Sequence, residues 1–306
     1  MTNTLYAFHQ GGGSKGDLWY NTFDGTVWSG DRKVFDVGMS GSPSALVSAI
    51  SGKELLYLFH QGSGNNGELW FSTFDGTNWL GDKHVEGLSM SGSPSAIVFN
   101  NRIYVFHQSF AGGELWYANF DGTVWKDKQI MNVSMSASPS AAICNVSGVE
   151  TLHVFHQGFS GGELWCATTT DGEQWEDNQI TAALTRLMLD SPSAMTFDGQ
   201  IRVYSRSQGV LHNGTIINNA PLYIQGSGTS WSGAFGIPWV CMSATPSAAT
   251  LTDATGKETI YVLHQGCDNN GQLWYFTDDG TKVSNDQQVS NLEMSESPSA
   301  IAWSHP

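Results

Sequence analysis

Short apolar stretches alternate along the chain with turns rich in Gly, Asp and Ser, and one arrangement of them recurs. A copy runs from Ser93-Pro94-Ser95-Ala96-Ile97-Val98 through Arg102-Ile103-Tyr104-Val105-Phe106-His107-Gln108. It continues with Gly113-Glu114-Leu115-Trp116-Tyr117 and ends at Asp121-Gly122-Thr123-Val124-Trp125. No stretch sustains a 3.6-residue period, so the pattern predicts four antiparallel strands per copy, here A to D, and little helix. Asp-Gly-Thr between C and D predicts a hairpin turn, with Gly at positive φ and Asp accepting local backbone hydrogen bonds. Between B and C the run Gly62-Ser63-Gly64-Asn65-Asn66-Gly67 reads as a longer, adaptable loop.

The Ser-Pro-Ser-Ala phrase begins at Ser42, Ser93, Ser138, Ser191, Thr245 (as Thr-Pro-Ser-Ala) and Ser297, giving six units of roughly fifty residues. The His-Gln phrase occurs at His9, His60, His107, His156 and His264, and the acidic-Leu-Trp phrase at Asp17, Glu68, Glu114 and Glu163, with Gln272 in the last copy. The fifth unit, Ile201 to Trp231, keeps only the outline. Residues 1–306 therefore read as a single all-β domain, a six-bladed β-propeller with four strands per blade. The chain starts in a strand B (Leu5 to Gln10) and stops after a strand A (Ser299 to Trp303), so the last strand is expected to complete the first blade and close the ring.

Alternating strand direction puts the B–C loops and the D-to-A links on one rim. That rim gathers the polar residues whose repetition turns alone do not require. They are His9, Gln10, Asp17 and Trp19; His60, Gln61, Glu68 and Trp70; His107, Gln108, Glu114 and Trp116; His156, Gln157, Glu163 and Trp165; and His264, Gln265, Gln272 and Trp274. A sugar presents hydroxyl pairs and an apolar ring face. A carboxylate accepts two hydroxyls, an amide or imidazole donates or accepts, and an indole supplies a flat apolar surface. The opposing expectations are that the strand-C Trp packs between blades and that the His is a core residue. Ser42, Ser93, Ser138 and Ser297 read as strand-start residues rather than ligands.

A net charge of −15 without clustered Lys or Arg excludes nucleic acid and an anionic membrane surface as partners, and no apolar run is long enough to insert in a membrane. Cys144, Cys166, Cys241 and Cys267 show no metal-ligand spacing; no metal and no cofactor is expected. Cys166 stands where other units have Tyr or Phe and reads as a small buried residue. Cys267-Asp268-Asn269-Asn270 hints at calcium in one unit only and reads as a polar turn. The start Met1-Thr2-Asn3-Thr4 lacks a secretory pattern, so the expected location is the cytoplasm, or release by an unconventional route, with the sequons at Asn132, Asn145 and Asn213 unused. Catalytic motifs are missing, and repeated carboxylates in equivalent surroundings do not make the unlike pair that glycoside cleavage needs. Asp-Gly-Thr-x-Trp is like the turn of sialidase propellers. The five arginines (Arg32, Arg102, Arg186, Arg202, Arg206) do not suggest a site that grips a sugar carboxylate.

In combination, Tyr-Val-Phe-His-Gln, Gly-Glu-Leu-Trp-Tyr, Phe-Asp-Gly-Thr-x-Trp and Met-Ser-x-Ser-Pro-Ser-Ala resemble the Psathyrella velutina-type propeller lectins. That group includes a six-bladed Agrocybe-type mushroom lectin for N-acetylglucosamine and related Photorhabdus lectins for fucose. The resemblance covers the whole chain. It implies multivalent, non-enzymatic binding of glycans on glycoproteins or cell surfaces, with sites between adjacent blades. Six units favour terminal N-acetylglucosamine, with fucose as the alternative. Ser207-Gln208 and Pro221-Leu222-Tyr223 put the fifth site in doubt, and Gln272 is expected to weaken the sixth. The readings from other classes are a sialidase-like glycosidase and a protein-interaction scaffold.

Overall fold

The computed structural model describes residues 3–13, 16–159, 162–180, 188–210, 214 and 216–304. Among them a single 3-10 turn, Cys267–Asn269, interrupts the strands, and no helix is long and apolar enough to cross a membrane. The strands form five antiparallel sheets. Four of these are single A–B–C–D units. The other holds seven strands, because Arg32–Ser48 runs without a break from strand D of the first unit into strand A of the second. Its first half pairs Trp19 with Lys33, its second half Leu58 with Ala45, and the register shifts between Ser40 and Ser44.

The expected closure is present. Met294–Trp303 lies against Thr4–Gly11, with Ala7 opposite Ala300 and Thr4 opposite Trp303. The Asp-Gly-Thr turns also form as expected. Gly25, Gly76 and Gly122 have φ of 94–98°, and Asp24 Oδ1 accepts from the Thr26 and Val27 N–H groups at 2.8 Å. The Thr26 hydroxyl, with these N–H groups, holds the Asp24 carboxyl below the usual range, as the Asn78 and Thr77 N–H groups do for Asp75 and the Thr123 hydroxyl with the Val124 and Thr123 N–H groups for Asp121.

Six hydrophobic clusters fill the described core, each shared by two neighbouring units. The Trp four residues after the Asp of an Asp-Gly turn inserts into the preceding unit; after Asp279-Gly280-Thr281 that position is Val283. Trp79 meets Phe8 edge-on at 6.1 Å, Trp125 meets Phe59 at 6.0 Å and Trp175 meets Phe106 at 5.7 Å. These strand-D indoles, rather than those of strand C, hold units together, through buried aromatic area and favourable ring geometry.

The Ser-Pro-Ser segments of all six units line one narrow axial cavity of about 120 Å³. Their hydroxyls stitch the strands A around the axis. The Ser297, Ser42 and Ser93 N–H groups donate to Ser42, Ser93 and Ser138 Oγ. A second set runs the opposite way, from the Ala45, Ala96, Ala141, Ala194 and Ala300 N–H groups to the serines of the preceding unit. Side-chain acceptors here satisfy backbone donors that no sheet partner reaches. Ser42, Ser93 and Ser138 are thus inter-unit linkers, and Ser42, Ser93 and Ser297 lie within strands rather than at their starts.

Candidate functional site

The five histidines stand opposite the five strand-C tryptophans, His9 across from Trp19 and so on through His264 and Trp274. Strand alternation turns both toward the preceding unit. The histidines are 0–1% exposed. Each Nε2 donates to a strand-D carboxylate: Asp31, Asp82, Asp127, Asp177 or Asp286, at 2.9–3.1 Å. In four of the five, Nδ1 also lies 3.1–3.2 Å from the carbonyl oxygen of the following Gln. A side chain with no exposed surface and an engaged Nε2 offers nothing to a ligand. The expectation that His9, His60, His107, His156 and His264 touch sugar is corrected accordingly: they orient the Asp.

The glutamines face the other way. Gln10, Gln61, Gln108, Gln157 and Gln265 donate to the carbonyls of Met39, Met90, Met135, Met188 and Met294, which lead into the next strand A, at 2.9–3.4 Å. Ser295, Ser91, Ser136 and Ser243 donate to four of their side-chain oxygens. With four of the five buried and all five amides engaged, they too act as inter-unit ties rather than as ligands.

What remains at the rim is the acid and the indole. Trp19, Trp70, Trp116, Trp165 and Trp274 are half-buried, as are Asp17, Glu68, Glu114, Glu163 and Gln272. Glu68 Oε2 accepts from the Trp70 indole N–H at 3.0 Å and from Asn66 at 2.7 Å. Asp17 pairs with Lys33 at 2.9 Å. Ser109 donates to Glu114, which, with the residue's own N–H, holds that carboxyl below the usual range. The indole N–H groups of Trp116 and Trp274 have no acceptor among the described residues. Gly11, Gly158 and Gly266 follow their His-Gln pairs because the indole edge rests on the backbone there; a Cβ would sit 2.7–2.8 Å from Nε1.

Between the third and fourth units this arrangement frames a cavity of about 330 Å³. Glu163, Trp165, Asp177 and Phe159 line it from one side, Asn132 and Ser134 from the other. Asn132 (φ 64°) turns the chain at the end of strand D, as Asp36 (59°) and Asn291 (59°) do elsewhere. Phe159 is 70% exposed, and Phe110 holds the same place one unit earlier at 57%. Phe110 lies over Gly67 of the preceding unit, where a Cβ would be 2.6 Å from the ring. Sequence reasoning missed the strand-D Asp, Asn132 and both Phe residues. The Asp had a signal, since it recurs two or three residues after the strand-D Trp in Trp28 to Asp31, Trp79 to Asp82, Trp125 to Asp127 and Trp175 to Asp177.

Among the described residues the fifth unit shows no such arrangement. Strands Gln200–Val210 and Ile216–Ser227 pair as far as Val210 opposite Ile216, and Leu222 stands opposite Ser205 where the other units set Trp opposite His. Pro221-Leu222-Tyr223 is therefore not the counterpart of the acid-Leu-Trp phrase. Arg202 pairs with Asp278 and Arg206 with Asp190, Arg102 lies beside Asp121, and Arg186 lies outside the described residues, as do Asn213 and Thr215. Cys241 and Cys267 form a disulfide with Cα atoms 5.3 Å apart, which fixes the loop that had suggested calcium. No metal-binding cluster occurs among the described residues.

No protein-family model and no curated protein sequence matches the chain. Solved structures do. AofleA from Arthrobotrys oligospora matches with a TM-score of 0.64 at 14% identity, over 100% of this chain and 91% of that one. The fungal Aleuria aurantia lectin, described as a six-bladed β-propeller with a novel fucose recognition mode, gives 0.58 at 14% over 82% and 78%.

The fold is a β-propeller.

The α-L-arabinanase of Penicillium chrysogenum, complexed with arabinobiose, also matches, at 0.57 and 12% over 84% and 82%. At such identities the likeness extends to the propeller architecture alone.

Proposed function

We propose that this propeller is six-bladed and acts as a multivalent lectin, with glycan sites at the blade junctions and no catalysis. The observation that carries the reading is a half-buried acid or amide set two residues before a half-buried strand-C tryptophan in five units, framed between the third and fourth blades by Asn132 and Phe159. The six inter-unit clusters support the blade count. Glu68, Glu114 and Glu163 accept sugar hydroxyls, the indole supplies a polar edge on a flat body, and the His–Asp pair behind it fixes the site from below. Asp17 and Gln272 serve the same role in the first and sixth blades.

Terminal N-acetylglucosamine is the preferred ligand, because its acetamido methyl suits Phe159 or Phe110 and its amide suits Asn132. Fucose is the alternative, and the Aleuria lectin crystallised with α-methyl-L-fucoside is a propeller of this kind. Single sites are shallow and weak; engaging several on one glycan-coated surface raises avidity ~10²–10⁴-fold. The equivalent setting of the carboxylates and the pairing of Arg202 and Arg206 within the protein support binding over hydrolysis. The disulfide favours release from the cell over a cytoplasmic location, since cytosolic thiols stay reduced.

A glycan array followed by calorimetry tests the reading. Terminal N-acetylglucosamine or fucose is expected to bind with several sites per chain. Silence toward every terminal sugar, or turnover of a chromogenic glycoside, overturns it.

A further inference from the structure

Four blades place a pair of packed aromatic rings on the face toward the next blade: Tyr6 with Tyr20, Tyr57 with Phe71, Tyr104 with Tyr117 and Tyr261 with Tyr275, at 5.6–6.5 Å between centroids. The fourth blade has His153 and Cys166 in those positions, since His153 is opposite Thr168 and Cys166 opposite Phe155. One phenol ring is replaced by the smaller imidazole and the other ring is missing, and a cavity of about 600 Å³ opens between the fourth and fifth blades. Val146, Cys166, Ile180 and Trp231 give it apolar walls, and Glu176 and Asn178 stand exposed at its mouth.

The cavity holds an unanswered hydrogen-bonding atom. His153 is 0% exposed. Its Nδ1–H donates to the Thr151 carbonyl at 3.1 Å, and its Nε2 has no partner among the described residues. Burial lowers the pKa of this imidazole, so the ring is neutral and Nε2 presents a lone pair. A buried acceptor without a donor is costly. The Cys166 thiol, pushed up by burial, is no nucleophile.

We propose that this junction binds a small neutral aromatic molecule carrying one O–H or N–H donor, of phenol or indole size. Its ring takes the space of the missing side-chain ring against Trp231, and its donor meets His153 Nε2. The volume is that of a small-molecule pocket, and Glu176 at the mouth disfavours carboxylated analogues. This site is separate from the proposed sugar sites, which sit at the rim.

The probe is p-cresol, titrated into the full-length protein by calorimetry and by its effect on the melting temperature. A saturable rise in melting temperature is expected, with toluene, which has no donor, binding about tenfold more weakly. Cys166→Tyr restores a ring and is expected to abolish the response while raising the melting temperature of the free protein. His153→Phe, which keeps bulk but removes the acceptor, is expected to equalise p-cresol and toluene. No response from the folded wild type, an undiminished response in Cys166→Tyr, or equal wild-type affinity for toluene would each overturn the proposal. Competition by free N-acetylglucosamine or fucose would do so as well, by placing the aromatic at the rim.

Discussion

The third and fifth blades share a fold and differ in nearly everything at the rim. Both begin with Ser-Pro-Ser-Ala at the axis, both carry a strand-B Tyr (Tyr104, Tyr204) in the core, and both insert a strand-D Trp into the preceding blade, Trp125 against Phe59 and Trp231 against Phe155. The third blade also has His107, Asp127, Glu114 and Trp116. The fifth has Ser205 and Leu222 at the His and Trp positions, and it folds into the ring without a His–Asp pair. A blade therefore does not need that pair to form. Because the buried His–Asp pair is present wherever the rim Trp and its acid or amide neighbour are present, and absent where they are, it belongs to the site rather than to the scaffold.

The largest effect is expected from the scaffold side of this division. Phe106 is fully buried and meets Trp175 edge-on; Phe106→Ala is expected to cost about 3–5 kcal/mol in denaturant unfolding. Below its new melting temperature the variant is expected to keep the full number of proposed sugar sites. Loss of sites with little loss of stability would show that core and rim are not separable. Next comes the Cys241–Cys267 crosslink, which ties the fifth blade to the sixth. Closing its loop stabilises by about 3–4 kcal/mol on the chain-entropy account. Replacing both cysteines with Ser is expected to lower the melting temperature accordingly, and an unchanged midpoint would refute a structural role.

The comparison is tested most directly at the pair itself. Asp127→Ala leaves the buried His107 Nε2 without its carboxylate and is expected to destabilise by about 1–3 kcal/mol. It is also expected to remove one sugar site from the calorimetric stoichiometry, as Trp116→Ala does without a comparable stability loss. A variant that loses stability but keeps every site would return the pair to the scaffold.

This division also explains what the sequence made legible. Repeats, strand order, the Asp-Gly-Thr turns and ring closure are local or periodic, and each was readable from spacing. The fusion of two units through Arg32–Ser48 was not, because Gly38, Gly41 and Pro43 read as breaks, whereas the strand continues through them with Asp36 and Gly41 at positive φ. His9 and its equivalents looked like ligands because polarity was taken as exposure; only the register, which places Asp31 2.9 Å away, shows them buried. The fifth unit misled for a related reason. Its Leu222-Tyr223 imitates Leu-Trp, but the register sets Leu222 opposite Ser205, at the Trp position itself, and Tyr223 at the position of Tyr117. Phe110 and Phe159 gave no signal, since an isolated Phe in a Gly-rich loop repeats in only two blades.

The smallest effect concerns pH at the third blade. Ser109 stands where the other regular blades have Gly11, Gly62, Gly158 and Gly266, and its hydroxyl donates to Glu114. That bond, with the residue's own N–H, depresses the carboxyl pKa. A depressed carboxyl keeps its charged form, and hence its capacity to accept two sugar hydroxyls, at every pH above the lowered value, and loses it only as pH falls through that value. Ser109→Gly is expected to move the loss upward, toward the ordinary Glu range near about pH 4.3. Read in a variant that retains only the third-blade site, sugar binding should fail at a higher pH in Ser109→Gly than in its parent. Coincident profiles would mean that the carboxylate of Glu114 does not meet the sugar, and the role of the rim acids would pass to the indole alone.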